Sequence, residues 1–289
     1  MTLTSSARRT IALLLGICGL ATLITLTPAV PAATAQSLRD QIPIVAGTAL
    51  EVQGGRLCTA GAVLRSRNWF SRASPIGSAT RYLAIPEHCA DQGNTIKVGG
   101  EVVGTVTWVS SHYDLAIVMI PPSRVQRPIC SGASQLHHCT IPPTTPKAVG
   151  RIVLNRGSTQ QAVPVPGAGI AAVGEHFCTS GAVSFVNCAF EVADTATAGL
   201  PPGELAARTT NGIALQPGDS GGPVANVSGR LYGIIISQGE DDYRDIIGYL
   251  PMDTIFRDLG YDYALAPSVV EAPGASGADR GAPGCGLGR

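Results

Sequence analysis

An all-β fold, a sandwich or barrel with one short C-terminal helix, is predicted by three features of the chain. Strand-length β-branched runs recur, Gly/Pro-rich turns separate them, and continuous helical periodicity is nearly absent. "TIKVGGEVVGTVTWV" (95–109) reads as a hairpin turning at Gly99-Gly100. "DLAIVMI" (114–120), "GRIVLN" (150–155), "GAVSFV" (181–186) and "LYGIIIS" (231–237) read as further strands. The helix is "MDTIFRDLG" (252–260): Ile255, Phe256 and Leu259 share one face, Asp253 can cap its start, and Gly260 can close its end.

The two ends differ from this middle. Arg8 and Arg9 precede an apolar run from Ile11 to Leu26, and small residues at Ala33 and Ala35 follow in "PAVPAATAQ". A charged start, a short apolar stretch and an A-x-A site predict a secretory signal over 1–35, cut after Ala35. The run approaches the ~18 residues of a membrane span, so an uncleaved anchor is the other reading; the cleavage site favours the signal. Residues 36–43 then form a short propeptide or linker, 44–263 the folded domain, and the Ala/Gly/Pro-rich 264–289 a disordered tail.

With 45% hydrophobic and 14% charged residues, the chain can bury one large core or two smaller ones. Its formal net charge of zero gives no support to nucleic acid or an anionic membrane as partner. Loss of Cys18 with the signal leaves Cys58, Cys89, Cys130, Cys139, Cys178, Cys188 and Cys285, the last alone in the tail. No C-x-x-C occurs, so no zinc site is expected; no other metal and no cofactor is expected either. Disulfides formed after export account better for the cysteines.

The densest chemistry lies in "QPGDSGGPV" (216–224). A serine hydroxyl is a weak nucleophile until a base removes its proton and N–H groups await the oxyanion. Gly218 and Ser220 can each turn an amide toward one site, Gly221 and Gly222 leave room for substrate, and Pro223 stiffens the exit. An ordinary Gly-rich turn is the plainer reading, and a neighbouring base decides between them. Of five histidines, His88 stands out in "LAIPEHCA", where the adjacent Cys89 can anchor it. His112, His137, His138 and His176 read as surface or packed residues. Asp114 opens an apolar strand, where a carboxylate needs a partner and could hold imidazole Nδ1.

The order His88, Asp114, Ser220, with "HC", "DLA" and "GDSGGP", resembles the chymotrypsin-fold serine peptidases. "CTAG" (58–61), "GGEVVGTV" (99–106) and "CTSGAVSFVNC" (178–188) resemble the secreted bacterial branch of streptogrisins and α-lytic protease. The likeness spans about residues 44–263. It implies two packed six-stranded antiparallel β-barrels with the site between them. It also implies Ser220 as nucleophile, His88 as general base, Asp114 as its orienter, and the amides of Gly218 and Ser220 as oxyanion hole. Local loop closure and the likeness together imply Cys58–Cys89, Cys130–Cys139 and Cys178–Cys188.

The implied activity is that of a secreted, monomeric endopeptidase acting on polypeptides. A catalytically idle protein that keeps the fold, or a secreted esterase, are the other readings. Ser237 and Gly239 match the segment to which an extended substrate adds as a strand. Ala214 and Ile236 fall at specificity-pocket positions and carry no charge, so cleavage after apolar residues is expected. Glu87 beside the base is unusual, and is expected to face water. Asp219 should be buried and need a cation. The bacterial branch places an arginine where Thr179 stands, whereas "IVAG" (44–47) resembles the animal enzymes, in which a new N-terminal amine does this work. Cleavage before Ile44 is therefore expected to supply the partner, with Arg151, Arg156 and Arg208 as the other sources.

Overall fold

The computed structural model describes residues 37–124, 144–194, 199–239 and 243–269, with the backbone alone of 129–131 and 138–140. The predicted signal segment, most of the tail and Cys285 lie outside the described residues, as do the side chains of Cys130 and Cys139.

The first half contains β1 (Ile44–Ala46), β2 (Ala49–Val52), β3 (Arg56–Thr59) and β4 (Ala62–Ser66). Two short helices, Trp69–Ala73 and Pro75–Ala79, lead to β5 (Arg81–Ile85), β6 (Thr95–Val98), β7 (Glu101–Val109) and β8 (Ala116–Ile120). β9 (Ile129–Ser131), β10 (His138–Thr140), β11 (Ala148–Arg156) and β12 (Thr159–Pro164) connect the halves. The second half holds β13 (Phe177–Gly181), β14 (Phe185–Ala193), β15 (Leu205–Thr209), β16 (Pro223–Ala225), β17 (Leu231–Gln238) and β18 (Ile246–Pro251). A helix, Met252–Asp258, and β19 (Tyr263–Leu265) end the fold.

Strands β13-β14-β15-β18-β17-β16 close into a six-stranded barrel. The first half is an eight-stranded curled sheet, β19-β4-β5-β8-β7-β6-β2-β3, so the last strand returns from the second half to the first. Leu50, Leu83, Ile85, Ile96, Val118 and Ile120 fill one core. Phe177, Phe190, Leu215, Ile235, Ile247 and Tyr249 fill the other. A third cluster joins them, setting Leu64 and Ile117 of the first half with Ile234, Leu250 and Ile255 of the second. Burial of each such side chain contributes about 1.5–3 kcal/mol, so apolar contact fixes the halves as neighbours.

The β6–β7 hairpin turns at Gly99 and Gly100, both at positive φ (54° and 79°), as a two-residue turn between twisted strands requires. "GAVSFV" is not a strand. Its residues 182–184 form the turn between β13 and β14, and Phe185 stands at φ 61°. The expected Asp253 cap is also corrected: Pro251 occupies the N-cap, and Asp253 lies in the first turn, 3.8 Å from Arg257. Gly260, at φ 60°, ends that helix as expected. The helices at 69–79 went unread because they are too short for a period; their signals are the Asn68 and Ser74 caps and Pro75.

Residues on both sides of 44–263 are packed against the fold. Arg39 is only 2% exposed, and Ala266 lies in the first core, with β19 paired to β4. Among the described residues no helix is long and apolar enough to cross a membrane.

Candidate active site

His88 sits on a single 3-10 turn, Glu87–Cys89, which Pro86 starts at the end of β5. The Cys58–Cys89 disulfide ties this turn to β3. With a sequence separation of 31 between the cysteines, the closed loop stabilises the fold by about 3–4 kcal/mol in a chain-entropy account. Asp114 ends the loop that leads into β8 and receives both the ring and the amide of His88. Nδ1 lies 2.5 Å from Oδ2, and the amide nitrogen 2.9 Å from Oδ1. Two bonds to one carboxylate fix both the place and the plane of the imidazole.

Burial alone would raise the Asp114 carboxyl. The His88 ring bond, the His88 amide, the His88 charge and the Glu87 amide outweigh it and hold the group below the usual 3.8. Glu87 thus acts through its backbone, while its side chain is exposed as expected. Arg56 was not anticipated: its guanidinium donates to the His88 carbonyl at 2.8 Å.

The Ser220 loop is docked by β3. The Thr59 amide donates to Ser220 O at 2.8 Å, and the Thr59 hydroxyl donates to Gly218 O at 2.8 Å. Gly221 fits so closely between Thr59 and Pro86 that a Cβ there would lie 2.3 Å from Thr59 O and 3.0 Å from Pro86 Cδ. Since Cys58 is bonded to Cys89, the same strand end holds both the serine loop and the His88 turn. Among the described residues no hydrogen bond joins the Ser220 hydroxyl to His88; unliganded sites often close that contact only around substrate.

The amides of this loop divide cleanly. Gln216 donates to Asp219 Oδ2, Asp219 to Gln216 O, Gly221 to Ile235 O and Gly222 to Asp219 O, while Pro217 has no N–H. Among the described residues, the amides of Gly218 and Ser220 have no acceptor. Gly218 is buried at φ 106°. An unbonded buried amide costs on the order of 1–3 kcal/mol; Gly218 is buried and Ser220 half-buried.

Asp219 is fully buried. Its Oδ1 accepts from Val183 (2.9 Å) and Ser184 (3.0 Å), its Oδ2 from Gln216 (2.7 Å). The 182–184 turn is therefore the clasp of this carboxylate. In the intact chain Ile44 lies inside β1 and gives its amide to Lys147 O at 2.8 Å. The other cations considered are engaged elsewhere: Arg151 with Ala162 O, Arg156 with Val227 O, Arg208 with the Asp245 carboxylate.

A cavity of about 290 Å³ opens beside the couple, lined by His88, Tyr113, Asp114, Glu204, Ile236 and Ser237. Both halves of the molecule thus contribute to it. Ala214 lies off this cavity, half-buried on the approach to Ser220. β16 pairs with β17 only as far as Ile234, which leaves Ser237 and Gln238 paired to β18 alone. The Gly239 amide already donates to Ile246 O at 2.9 Å and is not open to a substrate strand. His112 lines the cavity rim, and His176 pairs with Glu191 on the surface. His137 lies outside the described residues.

Glu204 is a residue that motif reading could not find. It is 6% exposed, and the Ser237 hydroxyl donates to its Oε2 at 3.2 Å. Burial raises its carboxyl; the Ser237 bond opposes this, the Asp114 charge adds to it, and the His88 charge opposes it. A raised carboxyl binds its proton more tightly folded than unfolded. Its stabilisation is therefore full below 4.5 and lost as pH rises through the folded value. Asp114 does the reverse, and weakens the fold only as pH falls below 3.8. Glu204→Gln should raise the unfolding midpoint at neutral pH and flatten its fall above pH 4.5, while leaving the acid limb intact. Thermal melts across pH 3–8 would show this, and a variant that tracks wild type throughout would refute it.

No family model matches the chain. Among solved structures it is similar to protease A of Thermobifida fusca, at TM-score 0.50 and 19% identity over 77% of this chain and 98% of that one. It is similar also to a Nocardiopsis protease, at TM-score 0.50 and 17% identity over 77% and 98%. Identities this low speak for the backbone and not for the chemistry. A closed six-stranded barrel beside a curled sheet, with His88 and Asp114 on one half and Ser220 on the other, places the chain in the chymotrypsin-like fold of the bacterial serine proteases.

Proposed function

We propose that this protein is an exported serine endopeptidase that cleaves peptide bonds through an acyl-enzyme. The observation that carries the reading is the pair of unbonded amides at Gly218 and Ser220, set on a loop docked beside the His88–Asp114 couple. With its proton on Nδ1, facing Asp114, His88 has Nε2 free to accept the Ser220 hydroxyl proton. Ser220 Oγ then bonds to the carbonyl carbon, and the two amides receive the developing oxyanion. His88 returns the proton to the leaving amine, and water, activated by the same imidazole, releases the acyl group. The predicted signal sequence and the two described disulfides support export.

The residues at the pocket positions support cleavage after apolar side chains. Ile236 is buried, Leu215 and Ile247 belong to the second core, and none of the three carries a charge. A fluorophosphonate probe should label wild-type protein at Ser220, and a peptide library should be cut after apolar residues. Absence of labelling would sink the peptidase reading. Dominant cleavage after arginine would sink the specificity alone.

A further inference from the structure

The buried Asp219 carboxylate is held by three amides, but a charge so enclosed also needs a counter-charge. Arg39 stands at the right place. It is 2% exposed, on the segment that precedes β1. Its Nη2 donates to Ser180 Oγ (3.0 Å) and Gln160 Oε1 (3.1 Å), and its Nη1 to Gly47 O (2.5 Å). The guanidinium carbon lies 5.5 Å from the centre of the Phe185 ring.

Ser180 and Phe185 flank the turn whose Val183 and Ser184 amides grip Asp219. Arg39 therefore touches the clasp on both sides. Gly47 leaves it room: a Cβ there would lie 3.0 Å from Arg39 Nη1 and 2.9 Å from Ser180 Oγ. That glycine belongs to "IVAG", the motif that suggested a new N-terminus. Burial lowers the Arg39 pKa to about 10, with the Asp219 and Asp40 charges acting against the drop, so the group remains a cation at neutral pH.

We propose that Arg39 is the positioning residue that holds the Asp219 clasp, and through it the Gly218 and Ser220 amides, so that residues 37–43 belong to the working enzyme. A cut before Ile44 would remove Arg39 and loosen the loop instead of completing it. The catalytic part of this proposal rests on the peptidase reading; the structural part does not.

The test compares Arg39→Gln and Arg39→Lys with wild type in the exported protein. Hydrogen exchange of residues 181–185 and 214–220 should quicken in Arg39→Gln, with the remaining strands of the second barrel unchanged, and recover in large part in Arg39→Lys. Hydrolysis in kcat/KM should fall by about 10²–10³-fold in Arg39→Gln, the scale of a lost oxyanion donor, with partial rescue by lysine. Fully active wild-type protein should carry residues 37–43 on N-terminal sequencing, a readout that stands even if Arg39→Gln fails to fold. Active protein that begins at Ile44, or wild-type exchange and activity in Arg39→Gln, would overturn the proposal. Should the clasp loosen in Arg39→Gln while wild type takes no fluorophosphonate, Arg39 keeps its role and the peptidase reading fails.

Discussion

Ser220→Ala should fold as wild type does and lose about 10⁴–10⁶-fold in kcat on any peptide the enzyme cleaves. The loop is kept in shape by backbone, not by the hydroxyl: Thr59 donates to the Ser220 carbonyl, and the flanking amides bond to Gln216, Ile235 and Asp219. Removing Oγ therefore takes away the attacking atom and leaves its seat. The unfolding free energy should change by no more than about 0.5 kcal/mol, as for a substitution that breaks no buried contact. Adding His88→Ala should cost little more, since a base without a nucleophile has nothing to activate. Purified variants assayed with one peptide would show this, and turnover by Ser220→Ala near the wild-type rate would end the acyl-enzyme mechanism.

Gly181→Ala, one methyl group, should cost both stability and activity. The added Cβ would lie 2.0 Å from Asp219 Oδ1 and 2.4 Å from its Cγ. Neither partner can yield easily, because the carboxylate is bonded to three amides and wholly buried. Displacing it should destabilise the fold by about 3 kcal/mol, through overpacking and broken buried bonds. It should also lower kcat/KM by about 10²-fold as the Gly218 and Ser220 amides lose their aim. Gly167→Ala serves as the control, because its Cβ would meet nothing nearer than Arg230 Nη1 at 3.9 Å. Denaturant titration of both variants decides the point: equal midpoints would mean that the clasp is soft.

How much of this was readable without coordinates depended on whether the information was local. "GDSGGP" and "HC" were legible because the chemistry forces particular residue types into short stretches. The β6–β7 hairpin was legible because two glycines stand between β-branched runs. "GAVSFV" misled for the same reason: Val183 and Val186 favour a strand, yet a carboxylate from a distant loop takes two of the amides and bends the segment. Arg39 and Glu204 could not be read at all. Each meets its partners only through folding, and nothing in "SLRDQ" or "PGELA" marks a buried ion.

The returning strand β19 has a consequence for the life of the molecule among its own copies. An open sheet has two free rims, and an unprotected rim invites strands from other chains. By pairing Tyr263 with Ser66, Ala264 with Arg65 and Leu265 with Leu64, the chain uses its own last strand to cover the β4 rim. Ala266 and Pro267 then bond back to Val63 and Gly150, so this cover is latched. A chain ended at Asp262 would keep every candidate catalytic group and yet bare that rim. Its failing would be self-association, a defect of solubility and not of chemistry.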